Sequence, residues 1–439
     1  MQLEKYRDRF VQDAMALVSI PSVSHSEPGY PTGKNAVKCL ETMLGILRGM
    51  GFSTYADPDG YYGYAEVGEG PLFGILGHLD VVPARLEDGW QSDPFQPEMR
   101  DGRIYARGIQ DDKGPTLAAA YAVKALLDNG AKLKNRVRII LGLAEETSWA
   151  CIRRYVEKEE IPAMSFTPDG SFPLVYAEKG LLQVEFSTKT PAKTAFRGGD
   201  SMNAVAAFAL TAQNDAVEAR LKEHGFAYKI VNGEIETEGK SAHAKNPWLG
   251  VNAIYHLAVA LQEAGLGDRA LDFITDCLAE KHRFEGFSDE KIEDFSGPLS
   301  VNVGMVTADE TGTHIGVDLR LPVTYKKEDA VRLLEEKGAE YGLSMKEEDW
   351  LRSIYLPLDS PLATALTAAY QKVTGDTQTK PKLSGGATYA RALDNCVAFG
   401  GNFPNVETTE HMPNEYASVD SLMKAMEIYC TALESLVVE

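Results

Sequence analysis

The chain has 439 residues, of which 44% are hydrophobic and 25% are charged, so we expect a packed globular protein and not a disordered one. Its 44 basic and 64 acidic side chains give a net charge of −20, which disfavours nucleic acid and anionic lipid surfaces as partners. Single hydrophobic cores stop growing near ~250–300 residues, and the length therefore predicts two domains.

Five cysteines are spread along the chain, and none forms a C-x-x-C pair. Their odd number and wide spacing argue against a disulfide framework or a cysteine zinc site, and they favour a reducing, cytoplasmic location. Residues 1–24 mix acids and bases with apolar residues at helical spacing, which predicts an amphipathic helix instead of a signal peptide. No stretch of the sequence is long and apolar enough to span a bilayer.

Helix and strand patterns alternate in the first part of the chain. A helical segment that ends at Gly51 comes first, and the buried strand PLFGILGHLDVV follows it. Next come an Ala/Leu-rich helix that begins near Pro115, the strand NRVRIILGLA and the helix SWACIRRYVEKEE. This order is typical of an α/β fold with a mostly parallel twisted sheet flanked by helices.

The pattern changes near residue 181. The segment LLQVEFSTKT alternates like a half-exposed antiparallel strand, and further strands and helices up to about residue 355 indicate an α+β domain. Helix, buried strand and helix patterns return after that point. We therefore predict a discontinuous catalytic domain, residues 1–180 and 355–439, which is interrupted by an α+β lid domain, residues 181–354.

Histidines and carboxylates stand where the predicted buried strands end. The apolar run GILGHLDVVP contains two of them, two adjacent acids precede a helix, two more follow a strand, and single residues lie in a PDG turn and in a late loop. In chain order they are His78, Asp80, Asp111, Asp112, Glu145, Glu146, Asp169 and His411. Because ligand sites form at the carboxyl ends of parallel strands, this set predicts one site that pools oxygen and imidazole donors.

Each motif alone also has an ordinary structural explanation. An H-x-D triplet occurs by chance, adjacent acids are common in solvated turns, and PDG is a β-turn sequence. The shared location at strand ends favours function, because buried carboxylates are unstable unless they are paired, hydrogen-bonded or bound to metal.

Six motifs together resemble, in the correct order, the co-catalytic di-metal exopeptidases. That family includes aminoacylase, carnosinase and succinyl-diaminopimelate desuccinylase, and the chain is most similar to its bacterial PepV-type dipeptidases. The motifs cover nearly the whole chain, and they are GHLDVVP, ARGIQDDKGP, AEETSW, TPDGSFP, GKSAHAKNPWLGVNAI and EHMPNEY.

The resemblance implies two divalent metal ions per chain, with zinc first and manganese or cobalt as alternatives. His78 and Asp169 would bind one metal, Glu146 and His411 would bind the other, and Asp111 would bridge them. Water between two metals ~3.5–4 Å apart is acidified towards neutral pH.

Two acids would contribute to the reaction without binding metal. The resemblance implies that the Asp80 carboxylate accepts the second ring N–H of His78, and that Glu145 is the general base. It also implies a cis peptide bond between Asp111 and Asp112.

The lid domain and a late loop would contact the substrate. The resemblance implies that His243 donates a hydrogen bond to the developing oxyanion and that Asn203 touches the substrate. The planar guanidinium of Arg320 would hold the carboxylate of a dipeptide. Gly385, Gly386 and Tyr389 would form a substrate loop.

Two positions depart from the family pattern. Ala387 replaces a third glycine before TYA, and Ala206 replaces the proline of N-x-V-P. Both lie in predicted substrate-contacting segments, so they bear on side-chain preference and not on the metal ligands.

These observations predict a cytoplasmic metallo-dipeptidase, a metal-binding hydrolase that acts on small dipeptides as a monomer or homodimer. A second hypothesis is an N-acetyl or N-succinyl amino acid amidohydrolase of the same family. A catalytically inactive homologue that binds peptide or metal is a third hypothesis. A di-metal phosphoesterase ranks last, because the sequence lacks the G-x-x-x-x-G-K-S/T phosphate cradle.

Overall fold

A computed structural model describes residues 2–439, and the chain in it forms two compact units. The first unit contains the chain up to Tyr176 together with Leu356–Leu383 and Thr388–Glu439. The second unit contains Ala177–Tyr355 and Ser384–Ala387. The assignment of these units as catalytic domain and lid stays a prediction.

Helices occur in both units. In chain order they are α1 Arg7–Val18, α2 Lys34–Gly49, α3 Lys113–Asp128, α4 Ala150–Lys158, α5 Asp215–His224, α6 Ala253–Glu263, α7 Arg269–Phe273, α8 Lys327–Glu340, α9 Pro361–Thr374 and α10 Val419–Val437. Short 3₁₀ turns lie at Glu4–Tyr6, Leu86–Asp88, Pro247–Leu249 and Tyr389–Ala392, and a π turn lies at Ile274–Leu278. Within residues 2–439, no helix combines the length and the apolar character that a membrane span needs.

The strands are mostly short. In chain order they are β1 Ser53–Ala56, β2 Tyr62–Val67, β3 Leu72–His78, β4 Glu98–Arg100, β5 Arg103–Tyr105, β6 Arg136–Gly142, β7 Met164–Thr167, β8 Val175–Glu178, β9 Gly180–Thr188, β10 Phe196–Gly198, β11 Phe208–Ala212, β12 Tyr228–Val231, β13 Glu234–Glu238, β14 Glu293–Asp294, β15 Gly297–Pro298, β16 Ser300–Asp309, β17 Gly312–Leu321, β18 Ser344–Leu351, β19 Ile354–Tyr355, β20 Lys382–Ser384, β21 Cys396–Ala398 and β22 Tyr416–Ser418.

The first unit is built on a mixed sheet whose centre is parallel. Its strand order is β1-β2-β6-β3-β7-β21-β8-β19, and β20 also pairs with β8. Strands β6, β3, β7 and β21 run parallel to one another, and the outer strands β1, β2 and β8 pair antiparallel. The predicted α/β fold with a mostly parallel central sheet is therefore confirmed.

Helices cover both faces of this sheet. In the parallel pairing of β3 with β6, His78 lies opposite Gly142, so Gly142 and Gly77, which precedes His78, face opposite sides. A Cβ atom on Gly77 would lie 2.0 Å from Thr116 Oγ1 of α3, whereas one on Gly142 would lie 2.0 Å from the Tyr389 hydroxyl and 3.2 Å from Cys151 Sγ of α4. Glycine therefore lets α3 approach one face closely, and it lets Tyr389 and α4 approach the other.

The carboxyl ends of the parallel strands bring several of the candidate site residues to one edge of the sheet. Strand β3 ends at His78, β6 ends at Gly142 shortly before Glu145, and β7 ends at Thr167 shortly before Asp169. Because parallel strands point the same way, these ends lie at the same edge of the sheet.

The second unit is an antiparallel sheet with helices packed on it. Its strand order is β12-β13-β11-β10-β16-β17-β9-β18. Apolar residues of β9, β16 and β17 form a hydrophobic core with those of α5, α6, α7 and α8. This arrangement is the predicted α+β architecture.

Two local features differ from the sequence predictions. Helix α3 begins at Lys113, two residues before the predicted start at Pro115. The small sheet of β4, β5 and β22, in which Tyr416 pairs with Tyr105, is also absent from the predictions. Its strands are only three residues long and carry no clear alternation, so they lack the pattern on which strand prediction depends.

The close approach at Gly77 gives a stability prediction. We expect Gly77→Ala to destabilise the protein by about 1–3 kcal/mol, because the new methyl group collides with Thr116. Urea unfolding measures this. Gly45→Ala, inside α2, is the matched control, since no atom lies within 4 Å of its added Cβ and alanine favours helix by up to about 1 kcal/mol. Equal unfolding midpoints for the two variants would contradict the close packing.

Candidate metal centre

His78 is a fully buried histidine at the last position of β3. Its Nδ1 lies 3.0 Å from the backbone carbonyl oxygen of Asp80, and its Nε2 lies 2.9 Å from Asp111 Oδ1. When Nδ1–H donates to that carbonyl, the neutral ring directs the Nε2 lone pair at the Asp111 carboxylate. A lone pair and a carboxylate oxygen face each other stably only with a proton or a cation between them. Leu79, between the two polar residues, packs into the core.

Asp80 has a different partner from the one implied by the resemblance. Its carboxylate oxygens accept hydrogen bonds from the backbone N–H groups of Glu145 and Glu146, each at 3.0 Å. The distance from Asp80 Oδ1 to His78 Nδ1 is 3.7 Å, which is too long for a hydrogen bond. Burial raises the pKa of Asp80 to about 6. Asp80 therefore orders the turn that carries both glutamates, and its backbone orients His78.

Asp111 lies between two histidines. Its Oδ1 is 2.9 Å from His78 Nε2, and its Oδ2 is 3.0 Å from His411 Nε2. His411 Nε2 is also 2.9 Å from Glu146 Oε1. Hydrogen bonds with Asp111 and Glu146 raise the pKa of His411 to about 11. The peptide bond between Asp111 and Asp112 is cis, as the resemblance implied.

Glu145 and Asp169 complete the acidic cluster. Burial, followed by the charges of Glu146 and Asp111, raises the pKa of Glu145 to about 8. Burial and the charges of Asp111 and Glu145 raise the pKa of Asp169 well above its usual range. Both residues therefore lie close enough to Asp111 for their charges to interact.

These residues have the donor chemistry that a divalent cation requires. One donor atom from each of His78, Asp111 and Glu146 lies within 4.8 Å of the others. The set combines imidazole nitrogen with carboxylate oxygen, which suits zinc, manganese or cobalt. A cation would also relieve the repulsion that raises the pKa values of the buried acids.

The second unit brings His243 and Asn203 onto neighbouring segments. Ala204 forms an antiparallel bridge with His243, and the N–H of Ala244 donates to the carbonyl of Asn203 at 2.9 Å. The N–H of Lys245 donates to His243 Nδ1 at 3.1 Å, which leaves the ring proton of neutral His243 on Nε2. Desolvation of the ring and the charges of Arg320 and Lys245 lower the pKa of His243 to about 4.

Arg320 lies in β17 and is already paired. Its Nε lies 2.7 Å from Asp318 Oδ1, its Nη2 lies 3.1 Å from Asp318 Oδ2, and its Nη1 donates to the carbonyl of Gly385 at 3.2 Å. Both side chains of the pair are buried. Asp318 is not among the predicted site residues, although residues two apart on a strand share a face and the spacing could have indicated the pair.

The residues of the predicted substrate loop lie in different environments. Gly386 is half-buried, and its N–H donates to Ser384 Oγ at 3.0 Å. Tyr389, in contrast, is fully buried in the first unit, with its hydroxyl 3.1 Å from Cys151 Sγ. Its ring packs edge-on against His78, with 6.1 Å between the ring centroids. The Tyr389 side chain therefore supports His78 from inside the core, and its contact with substrate stays a prediction.

Comparison with known protein families matches residues 74–435 to Peptidase family M20/M25/M40. The chain belongs to peptidase family M20. It is therefore a hydrolase of peptide bonds. The match includes all the acidic and histidine residues of the candidate metal centre.

Individual M20 relatives align along almost the whole chain. A Staphylococcus epidermidis protein named "Putative dipeptidase" is 36% identical over 467 aligned positions, which cover 99% of this chain and 98% of that protein. Human carnosine dipeptidase 1 superposes with a TM-score of 0.61 at 16% identity, covering 99% of this chain and 97% of that one. The M20 metallo-carboxypeptidase Sso-CP2 of Sulfolobus solfataricus gives 0.60 at 17% identity, covering 97% and 98%. At these identities, the solved structures show the shared fold.

Metal binding to this cluster would stabilise the folded state. We expect Zn²⁺ added to metal-free protein to raise the unfolding temperature, since free metal at about 1,000 times Kd contributes about 4 kcal/mol. Differential scanning calorimetry measures the shift. His411→Ala should reduce it. His314→Ala should leave it intact, because His314 pairs with Glu185 in the second unit at 3.0 Å. An equal shift in both variants would contradict the site.

Proposed function

We propose that the chain is a di-metal dipeptidase. The observation that carries the proposal is the position of Asp111, whose two carboxylate oxygens each face a different histidine at 2.9 and 3.0 Å. A carboxylate in this position suits a bridge between two cations. The dipeptidase names of relatives, and the metallo-carboxypeptidase activity in the name of Sso-CP2, support the same class of reaction.

The proposed metal ligands divide into two sets joined by Asp111. His78 and Asp169 would hold one cation, and Glu146 and His411 would hold the other. The cations, when bound, supply Lewis acidity that acidifies water and polarises a scissile carbonyl. Zinc is the first candidate, with manganese and cobalt as alternatives, because all three accept mixed nitrogen and oxygen donors.

Glu145 is proposed as the general base. It would take a proton from the attacking water and pass it to the leaving amine. The two hydrogen bonds from the backbone of Glu145 and Glu146 to Asp80 support this role, because they order the turn that carries both side chains. Of these two neighbours, Glu145 would transfer the proton and Glu146 would bind metal.

His243 is proposed as the donor to the oxyanion. Its Nδ1 accepts the N–H of Lys245, and its lowered pKa keeps the ring neutral at pH 7, so Nε2–H remains as a hydrogen-bond donor. Preorganised donors of this kind contribute strongly to acyl-transfer reactions. Asn203, on the bridged neighbouring segment, would contact substrate beside it.

Arg320 is proposed to hold the carboxylate of a dipeptide. Three of its five N–H groups bind Asp318 and Gly385, which leaves two N–H groups for a ligand. Lys245 lies next to Gly385, is exposed, and makes no ion pair within residues 2–439. It would therefore contribute the uncompensated positive charge, while Arg320 supplies directed hydrogen bonds.

We also propose a cytoplasmic location and a lid role for the second unit. All five cysteines are buried and form no disulfide bond within the described residues, which supports a reducing compartment. The candidate substrate residues Asn203, His243, Arg320, Gly385 and Gly386 all belong to the second unit, which supports a substrate-binding role for it. The predicted lid boundaries, residues 181–354, stay a prediction.

Replacement of Glu145 tests the chemistry. We expect Glu145→Gln to lower kcat by about 10²–10⁴-fold, because the amide cannot accept the proton, while the Zn²⁺ content stays unchanged. Steady-state kinetics and metal analysis measure both quantities. Glu157→Gln on the exposed surface of α4 is the matched control and should keep wild-type activity. Full activity in Glu145→Gln would remove it from the mechanism.

A substrate panel tests the specificity. We expect hydrolysis of free dipeptides, with kcat/KM lowered roughly ten- to a hundredfold for the C-terminal amides, since a hydrogen bond to a charged group contributes about 1.5–3 kcal/mol. Metal-reconstituted enzyme is assayed against dipeptides, their amides, tripeptides and N-acetyl or N-succinyl amino acids. Cleavage of the N-acyl amino acids without cleavage of dipeptides would establish the amidohydrolase function instead.

A further inference from the structure

The loop that carries Asp111 is organised around one carboxylate from a distant part of the chain. The backbone N–H of Gly108 lies 3.0 Å from both carboxylate oxygens of Glu415. The N–H groups of Gln110 and Asp111 lie 2.9 and 3.3 Å from Glu415 Oε1. Converging backbone N–H groups form an anion-binding concavity, and here the anion is a side chain of the same protein.

Glu415 is completely buried and forms an ion pair with one arginine. Its Oε2 lies 2.7 Å from Nη1 of Arg107, whose side chain is 4% exposed. The carboxylate therefore makes two separable kinds of contact. One is an ion pair with a side chain, and the other is a set of hydrogen bonds to the backbone that leads into Asp111.

The same region also joins the Asp111 loop to the His411 loop. Glu415 follows His411 by four residues, and the N–H of Ala106 donates to the Glu415 carbonyl at 3.1 Å. A second connection comes from the side chain of Gln110, whose Oε1 accepts from the N–H of Thr409 at 2.6 Å and from its hydroxyl at 3.0 Å. His411 thus lies between two points at which its loop is attached to the Asp111 loop.

We propose that Glu415 is a positioning residue for the metal centre. It fixes the backbone of Asp111 relative to His411 and so sets the 3.0 Å approach of their side chains. It acts through the backbone and touches neither metal nor substrate. The inference rests on the proposed roles of Asp111 and His411 as metal ligands. Second-layer contacts of this kind typically change metal affinity 10–100-fold.

The informative substitution is Glu415→Gln, which preserves size. The amide keeps one acceptor oxygen but places an NH₂ group against the N–H of Gly108 or the guanidinium of Arg107. We expect the affinity of the metal-free protein for Zn²⁺ to fall 10–100-fold. Isothermal titration calorimetry measures this affinity. The absorption spectrum of the Co²⁺-loaded protein should also change, because it reports ligand geometry directly.

Arg107→Met is the matched control. It removes the same buried ion pair but leaves the carboxylate with its three backbone N–H donors. We expect it to lower the unfolding temperature while Zn²⁺ affinity stays within about threefold of wild type and the Co²⁺ spectrum is unchanged. Equal losses of affinity in both variants would assign the effect to the ion pair and overturn the positioning role.

Three further outcomes are distinguishable. If folded Glu415→Gln binds Zn²⁺ with wild-type affinity and an unchanged Co²⁺ spectrum, the proposal is wrong. If the wild-type protein itself binds no Zn²⁺ or Co²⁺, the proposed metal ligands fail and the inference fails with them. If Glu415→Gln does not fold, Glu415→Asp keeps the charge but shortens the side chain. Glu415→Asp should then bind Zn²⁺ more weakly than wild type, and wild-type affinity in this variant would overturn the proposal.

Discussion

The concentration of carboxylates at one edge of a parallel sheet is the constraint on which the rest of the first unit depends. Each of these acids loses hydration when it is buried, and each repels its neighbours, so the folded state requires compensating positive charge. The acids are Asp80, Asp111, Asp112, Glu145, Glu146 and Asp169, and the rings of His78 and His411 face them. Backbone N–H groups, the buried cations Arg107 and Lys113 and, in the proposed function, metal ions are further sources of compensation.

The structure divides the carboxylates between two kinds of partner. Asp80 and Glu415 accept hydrogen bonds from backbone N–H groups, so each fixes the conformation of a loop. Asp111 and Glu146, on those same loops, face histidine nitrogens instead. This division suits the proposed metal site, whose ligands must be held in place without being neutralised. Because Asp80 and Glu415 accept the backbone donors, Asp111 and Glu146 would remain able to bind cations.

Much of the site was predictable because its residues follow strands with clear hydrophobic patterns. His78, Glu146 and Asp169 all lie at or just beyond the ends of parallel strands, and topology alone brings such ends together. The partner of Asp80 could not be predicted, because it depends on which backbone N–H groups a turn leaves unpaired. The burial of Tyr389 and the role of Glu415 depend in the same way on loop conformation, for which the sequence carries no periodic pattern.

The pairing of Arg320 with Asp318 bears on how the second unit would bind the carboxylate of a substrate, as proposed. A cation in the interior of β17 would be unstable alone, and breaking such a buried pair typically destabilises a protein by about 3–5 kcal/mol. The pair therefore has little net charge with which to attract a ligand, but its geometry is rigid and its free N–H groups have fixed directions. Lys245 is the opposite case, since it is exposed and uncompensated, and its long-range attraction weakens with salt. In the proposed function, Lys245 would thus attract an anionic group and Arg320 would orient it, so the arginine could be buried and still take part in recognition.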